Sequence, residues 1–368
     1  MKILFFIDEL GSGGAQRQMY NLALEFKTMG HQIEFLTYRD SDFYAPLLEE
    51  KGIKELRINS KNYFDRILKC RFIIRKGNYD AVLAFLEGPC FIAELSVLPF
   101  KNWTLVVGER SANPKILTSL KQKLYRILHP LADYIVANSY SNMDMLLKVN
   151  PFLKKNKTKV IYNLYNIADF KINPDFNFLK NEVLHITIPS NFRYWKNLDG
   201  LIEGVRLLST EDKKKLKIHW YGYEFEIDDS MKQGKNKIEQ YGLSSVFTLH
   251  PPTLKILDIM SASDAIGLFS HFEGLSNAIC EGMALGKPII TTRVSDNELL
   301  IKDRETGFLC DSTLPEDIAK AIHELLSQSK EKLYEMGKKN RLYFQKTFDK
   351  DTVCSQYLQL LTSNRKVI

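Results

Sequence analysis

Short apolar runs alternate with amphipathic stretches along the chain. Lys2 to Ile7, Gln32 to Thr37, Ile53 to Ile58, Tyr79 to Leu86 and Trp103 to Val107 are β-branched and aromatic runs of strand length. Helical periodicity falls between them at Gln16 to Met29, Phe64 to Lys76 and Phe91 to Leu98. Alternation of this kind predicts parallel βα units. A second series begins with a strand from Val183 to Ile188. It continues through a helix from Leu198 to Leu208, a strand from Leu216 to Tyr221, a helix ending at Gly242, a strand from Val246 to Leu249 and a helix from Thr253 to Ser261. A buried strand within Asp264 to Phe269, a strand from Ile289 to Thr292, a turn at Gly307-Phe308-Leu309 and helices from Glu316 onward complete it. Leu164 to Glu182 lacks periodicity and contains Pro174, so it reads as a linker. The expected organisation is α/β: residues 1–163 as one domain, 164–182 as linker, 183–348 as a second domain, and 349–368 as a terminal helical segment.

Candidate chemistry concentrates between Ser270 and Pro288. Ser276 and Asn277 are good helix caps, and Ala278, Ile279, Met283, Ala284 and Leu285 recur at helical spacing until Gly286 and Pro288 stop the helix. A helix N-terminus at the carboxyl end of a parallel strand offers unpaired N–H groups and partial positive charge, which suits phosphate. Glu281, inside the helix, is repelled by phosphate and suits the hydroxyls of a ribose. Glu273, on the loop side, suits a second polyol across the phosphates. Together they describe a nucleotide diphosphate sugar. Two glutamates alone are ordinary surface acids; the residues around them carry the reading. Arg193 and Lys196 follow the strand Val183 to Ile188 and supply a guanidinium fork and a point charge for the same phosphates.

Glu273, Gly274, Glu281, Met283, Ala284, Gly286 and Pro288 resemble the E-x7-E signature of retaining glycosyltransferases of the GT-B fold, family four, the glycosyl transferases group 1. Gly13-Gly14-Ala15, a helix, and Gly30-His31 before the second strand are similar to that family's opening, and Asn138-Ser139 and Ile161-Tyr162-Asn163 also match it. The resemblance implies two Rossmann-like parallel-sheet domains facing a deep cleft, with the C-terminal helix crossing back to the first. It implies transfer of a sugar, with retention, from a nucleotide diphosphate sugar to a glycan acceptor. On this resemblance Glu273, Lys196 and Arg193 are the catalytic residues, and Gly13, Gly14, Arg193, Lys196, Gly274, Leu275, Ser276 and Glu281 bind the donor. The family's arginine usually stands five residues before the lysine, where this chain has Asn191. Lys196 therefore carries over by position, and Arg193 by chemistry alone. A UDP-sugar is preferred to a GDP-sugar as donor. Leu249-His250-Pro251-Pro252 stands where relatives usually carry a glycine near the base.

With two cations and a helix dipole on the leaving group, no metal or other cofactor is expected. Asp40-Ser41-Asp42 and Asp349-Lys350-Asp351 both fit a metal-binding DxD, and two hits in one chain mark the pattern as chance. Glu109-Arg110, at a strand end in the first domain, are the acceptor-side candidates. His271 reads as structural rather than as a general base.

A length of 368 residues with 45% hydrophobic content suits two domains. Five widely spaced cysteines, without ligand spacing, read as reduced thiols in a cytosolic chain. The apolar run at the N-terminus is too short for a secretory signal, and no stretch is long enough to span a membrane. Charge adds a partner. The net value is +7, yet residues 101–160 alone hold 11 Lys and Arg against Glu109, Asp133 and Asp144, a balance of +8. Pro114 to His129 reads as one amphipathic helix whose apolar face (Ile116, Leu117, Leu120, Leu124, Ile127, Leu128) packs on the sheet. Its basic face, with Lys148, Lys154, Lys155, Lys157 and Lys159, suits an anionic membrane surface or a pyrophosphate-linked acceptor. No nucleic-acid motif accompanies it.

The expectation is a metal-independent, hexosyltransferase-type enzyme, cytoplasmic and peripheral at the inner face of the membrane, acting on a lipid-linked glycan in surface polysaccharide assembly. A GT-B nucleotide-sugar epimerase, a phosphorylase-like enzyme and a non-catalytic sugar-nucleotide-binding regulator are the alternatives.

Overall fold

The computed structural model describes residues 1–110, 114–172, 183–225 and 227–363. They form two compact units, Met1–Tyr165 with Phe348–Ile368, and Asn166–Thr347. Of the expected linker, 173–182 lies outside the described residues. Tyr165 belongs to the first unit and Phe170 to the second, where its ring meets Phe344 at 5.9 Å.

The first unit runs β1 (Lys2–Phe6), α1 (Gly14–Thr28), β2 (Gln32–Thr37), α2 (Ala45–Glu50), β3 (Lys54–Arg57), α3 (Tyr63–Lys76), β4 (Ala81–Phe85), α4 (Glu87–Ser96), β5 (Thr104–Glu109), α5 (Lys115–Thr118), α6 (Leu120–Ile127), β6 (Tyr134–Ala137), α7 (Tyr140–Val149) and β7 (Thr158–Val160). The second runs β8 (Leu184–Pro189), α8 (Leu198–Leu207), α9 (Thr210–Lys214), β9 (Leu216–Tyr221), α10 (Ser230–Gln240), β10 (Phe247–His250), α11 (Ile256–Ala262), β11 (Ala265–Leu268), α12 (Asn277–Ala284), β12 (Ile289–Thr292), α13 (Asn297–Leu300), β13 (Gly307–Cys310), α14 (Pro315–Leu326) and α15 (Lys330–Thr347). A last helix, α16 (Lys350–Thr362), packs on α1, β4 and β5 of the first unit.

Each unit is built on one wholly parallel sheet, in the orders β3-β2-β1-β4-β5-β6-β7 and β10-β9-β8-β11-β12-β13. Central strands of such sheets are covered on both faces and read as continuous apolar runs. In β1, Ile3 and Phe5 pack with Met19, Phe26 and Tyr357, while Leu4 and Phe6 pack with Cys70, Ile74 and Ile92.

Two expectations change. Gly307-Phe308-Leu309 is not a turn but the start of β13, in register with Ile289 to Thr292. A Cβ on Gly307 would stand 2.2 Å from the Ile289 carbonyl oxygen, so glycine is what lets the two backbones pair. The helix expected over 114–129 is two short helices broken at Ser119, whose side chain caps the second. Its expected inner face is largely outside. Ile116 is buried, but Leu120, Leu124 and Ile127 are 82%, 58% and 60% exposed, and Arg126 is the side chain that goes in.

In the second unit the chain leaves α12 through Gly286, in the left-handed conformation (φ 69°), and α15 crosses that end with Gly337 against it. A Cβ on Gly337 would stand 1.9 Å from the Gly286 carbonyl oxygen. Gly337→Ala gains about 1 kcal/mol of helix propensity. Wedging two backbones apart costs up to about 3 kcal/mol, so the variant is expected to be less stable in urea titration.

Candidate functional site

In the second unit β11 ends at Leu268, a loop runs to Ser276, and α12 begins with that serine's Oγ accepting from the Ile279 N–H at 3.4 Å. Leu275, Ser276 and Glu281 are buried. The loop is fastened from two sides. Ser295, itself at φ 54°, donates from Oγ to the carbonyls of Glu273 at 2.6 Å and Gly274 at 2.8 Å. From the other side the His271 N–H donates to the Trp195 carbonyl at 2.7 Å, and the Trp195 ring stacks on Phe272 with centroids 5.8 Å apart.

The second contact belongs to the segment after β8. Phe192 is buried beside Trp220, a turn follows, and Asn197 ends it at φ 60°, its side chain capping α8 through the Gly200 N–H at 3.1 Å. The turn aims Lys196 at the loop. Its ammonium is ion-paired with Glu273 Oε1, which also accepts from Ser270 Oγ at 2.6 Å. Residues 77 apart in sequence thus share one charge site beside a helix N-terminus.

Arg193 is placed differently. Its guanidinium lies 3.3 Å from the centroid of the Phe225 ring and 5.5 Å from that of Trp195, a cation–π arrangement instead of an ion pair with Glu273. Ser270, Ser295 and Asn197 escaped the sequence reading. Asn197 carried a signal, an Asn directly before a helical pattern; Ser295 carried none, since a positive φ at serine has no sequence signature.

In the first unit Gly13 and Gly14 are exposed at the start of α1, Gly13 as its cap at φ −69°. Neither Gly11, Gly13 nor Gly14 uses positive φ.

Glu109 ends β5 and is 6% exposed. Its Oε2 accepts from Arg126 at 2.9 Å, its Oε1 lies 3.1 Å from His129 Nε2, and His129 Nδ1 lies 2.6 Å from Glu94, which is wholly buried. Burial works against the Glu109 carboxylate, but the Arg126 and His129 charges overcome it and hold its pKa below the ordinary value. Burial by itself would lower the His129 pKa; the Glu94 carboxylate and the hydrogen bonds that the ring donates to both glutamates outweigh it and raise the imidazole to about 9. Glu109 is therefore a partner in a buried ion cluster. Arg110 donates to Asn163 Oδ1 at 3.1 Å and to the Tyr357 hydroxyl of α16, and lies 3.8 Å from the Phe85 ring centroid.

The aspartates of the DxD patterns have local partners. Asp40 and Asp42 pair with Arg57, and Asp349 caps α16 by accepting from the Thr352 N–H at 2.8 Å. Among the described residues no group of His, Cys, Asp and Glu is arranged to hold a metal ion.

Two parallel α/β units, the second presenting a lysine–glutamate pair at a helix N-terminus, are the two halves of the GT-B fold. A family model described as "Glycosyl transferases group 1" matches residues 169–343, and one described as "Glycosyltransferase Family 4" matches residues 12–169. The chain belongs to the group 1 glycosyltransferases. An uncharacterised glycosyltransferase of Haemophilus influenzae is 24% identical over 354 residues, covering 93% of this chain and 94% of its own. The N-acetyl-alpha-D-glucosaminyl L-malate synthase of Bacillus anthracis is 25% identical over 377 residues, covering 94% and 92%. The crystal structure of Anabaena HepE in complex with UDP matches with a TM-score of 0.86 at 19% identity, over 99% of this chain and 100% of that one, which shows the shared fold.

Proposed function

We propose that this chain transfers a sugar, with retention and without a metal, from a nucleotide diphosphate donor to a glycan acceptor carried on a lipid. The observation that carries the reading is the ion pair of Lys196 with Glu273 at the N-terminus of α12. As the bond between the anomeric carbon and the phosphate oxygen breaks, negative charge grows on the diphosphate and positive charge on the sugar. The Lys196 ammonium and the α12 N–H groups stabilise the first. Glu273 holds sugar hydroxyls and Glu281 those of the ribose. The departing phosphate oxygen accepts the acceptor hydroxyl's proton as the new bond forms on the same face, so no separate protein base is required.

A UDP-sugar is the preferred donor. Structures of Anabaena HepE with UDP and with UDP-glucose support this choice. The lipid-linked acceptor, and a working place at the inner membrane face in surface polysaccharide assembly, are supported by the basic surplus of residues 101–160. No helix among the described residues is long and apolar enough to cross a membrane.

Release of UDP or GDP from a panel of nucleotide sugars, with chelator present, tests the reading. One donor is expected to be hydrolysed slowly, and Glu281→Ala to raise its KM by about tenfold or more through loss of charge-assisted hydrogen bonds. Absence of turnover with every donor, lipid-linked acceptors included, overturns it.

A further inference from the structure

The surface of the first unit carries a feature that sugar transfer does not use. Helix α3 has two apolar faces. Cys70 and Ile74 are buried against the sheet, while Phe64, Leu68 and Phe72 recur every fourth residue on the solvent side, with Phe64 69% and Phe72 64% exposed. A water-facing helix surface normally carries polar residues there.

The stripe continues beyond α3. Arg75 donates to the carbonyls of Ser96 at 2.9 Å, Leu98 at 3.0 Å and Phe100 at 2.9 Å, and Arg71 bonds those of Leu95 and Leu98. These bonds hold the loop after α4 alongside α3, with Phe100 73% exposed and its ring 5.5 Å from the Arg75 guanidinium. On the other flank the Tyr63 hydroxyl of α3 lies close enough to that of Tyr125 in α6 to raise its pKa, which brings α6, with its outward leucines, to the same side of the unit as α3.

Charge names the occupant. Leaving aside the buried Arg126, residues 61–76 and 115–127 contain Lys61, Arg66, Lys69, Arg71, Arg75, Lys76, Lys115, Lys121 and Lys123 against Asp65 alone, a balance of +8 in a chain whose net charge is +7. A second copy of the chain would bring like charge to like. Nucleic acid would meet the charge and leave the leucines and phenylalanines without hydrocarbon to enter. An anionic bilayer satisfies both, since acyl chains take the apolar stripe and headgroups take the lysines and arginines.

We infer that the first unit docks on an anionic lipid bilayer through the outward faces of α3 and α6 and the loop at Phe100. This deepens the proposed function by naming the membrane-facing surface, and it stands on exposure and charge, independently of the transfer chemistry.

The test is flotation of the full chain with vesicles of phosphatidylcholine alone or containing roughly a third phosphatidylglycerol. Binding is expected to the anionic vesicles only, and to weaken at about 1 M salt, where the Debye length is about 3 Å. Phe64→Glu with Phe72→Glu, and separately Leu120→Glu with Leu124→Glu, are each expected to weaken binding by about tenfold or more. All four positions are exposed, and donor hydrolysis without vesicles serves as the check on folding. Failure of the parent protein to bind anionic vesicles, undiminished binding by both double variants, or loss of a dimer in size-exclusion when Phe64 and Phe72 are changed would each overturn the inference. Vesicle binding without turnover of any donor would sink the proposed function and leave the docking surface standing.

Discussion

Lys196→Ala will lower donor turnover by about two to three orders of magnitude while shifting thermal unfolding by only a few degrees. The two halves of this expectation come from the same ion pair. A positioned cation facing charge that develops in the transition state is worth about 10²–10³ in rate when removed. The structural share is smaller, because the Lys196 and Glu273 side chains are 19% and 12% exposed and Ser270 still donates to the abandoned carboxylate. A cost of about 1 kcal/mol corresponds to about 2–4 °C for a unit of this size. Lys196→Arg retains the charge but spreads it over a planar fork that the Glu273 and Ser270 arrangement was not built around, so it should recover part of the activity only. Steady-state release of the nucleotide product beside calorimetry separates the effects. Turnover of the alanine variant close to that of the parent would remove Lys196 from the catalytic residues.

The largest effect on stability is expected in the first unit, at the cluster of Glu94, His129, Glu109 and Arg126. Breaking a buried ion pair by removing one partner's charge typically costs about 3–5 kcal/mol. Glu109→Gln leaves the Arg126 guanidinium, 1% exposed, without its principal counter-charge, and should lower the stability of the first unit accordingly, as read by urea titration.

The same cluster makes stability depend on pH. The imidazole of His129 is raised from an ordinary value of 6.5 to about 9. The stabilisation it supplies is complete below pH 6.5 and is lost as the pH climbs through 9, about 3 kcal/mol over that window. Urea titrations at pH 6.5 and pH 9.5 should show the loss, and His129→Gln should be less stable at pH 6.5 and flatten the profile. A parent protein equally stable at both values would mean the imidazole is not charged in the fold.

Much of the architecture was legible because it is written in local signals. Short continuous apolar runs and period-3.6 patterns placed many of the strands and helices within a few residues, and Ser276 before α12 with Gly286 after it bounded the helix as caps do. The turn expected at Gly307 failed because glycine reads as a turn residue by default. Here its lack of a side chain serves close strand pairing with Ile289. The stretch 114–129 failed in a more instructive way. Its leucines suggested an inward face, but the carboxyl end of β5 carries Glu109, and α4 beside it carries Glu94. Buried carboxylates demand cations more strongly than leucines demand cover. Arg126 and His129 go in, and the leucines are left facing out.

The sequence by itself determined two parallel βα series and the helix with one glutamate before it and one inside it, because periodicity and caps act over a few residues. Only the tertiary structure decided that Lys196 meets Glu273 across 77 residues, that Arg193 lies on an aromatic ring instead, and that Glu109 is spent on a buried cluster. Those outcomes turn on which charges burial brings together, and charge pairing in a folded chain depends on distances through space that spacing along the chain does not encode.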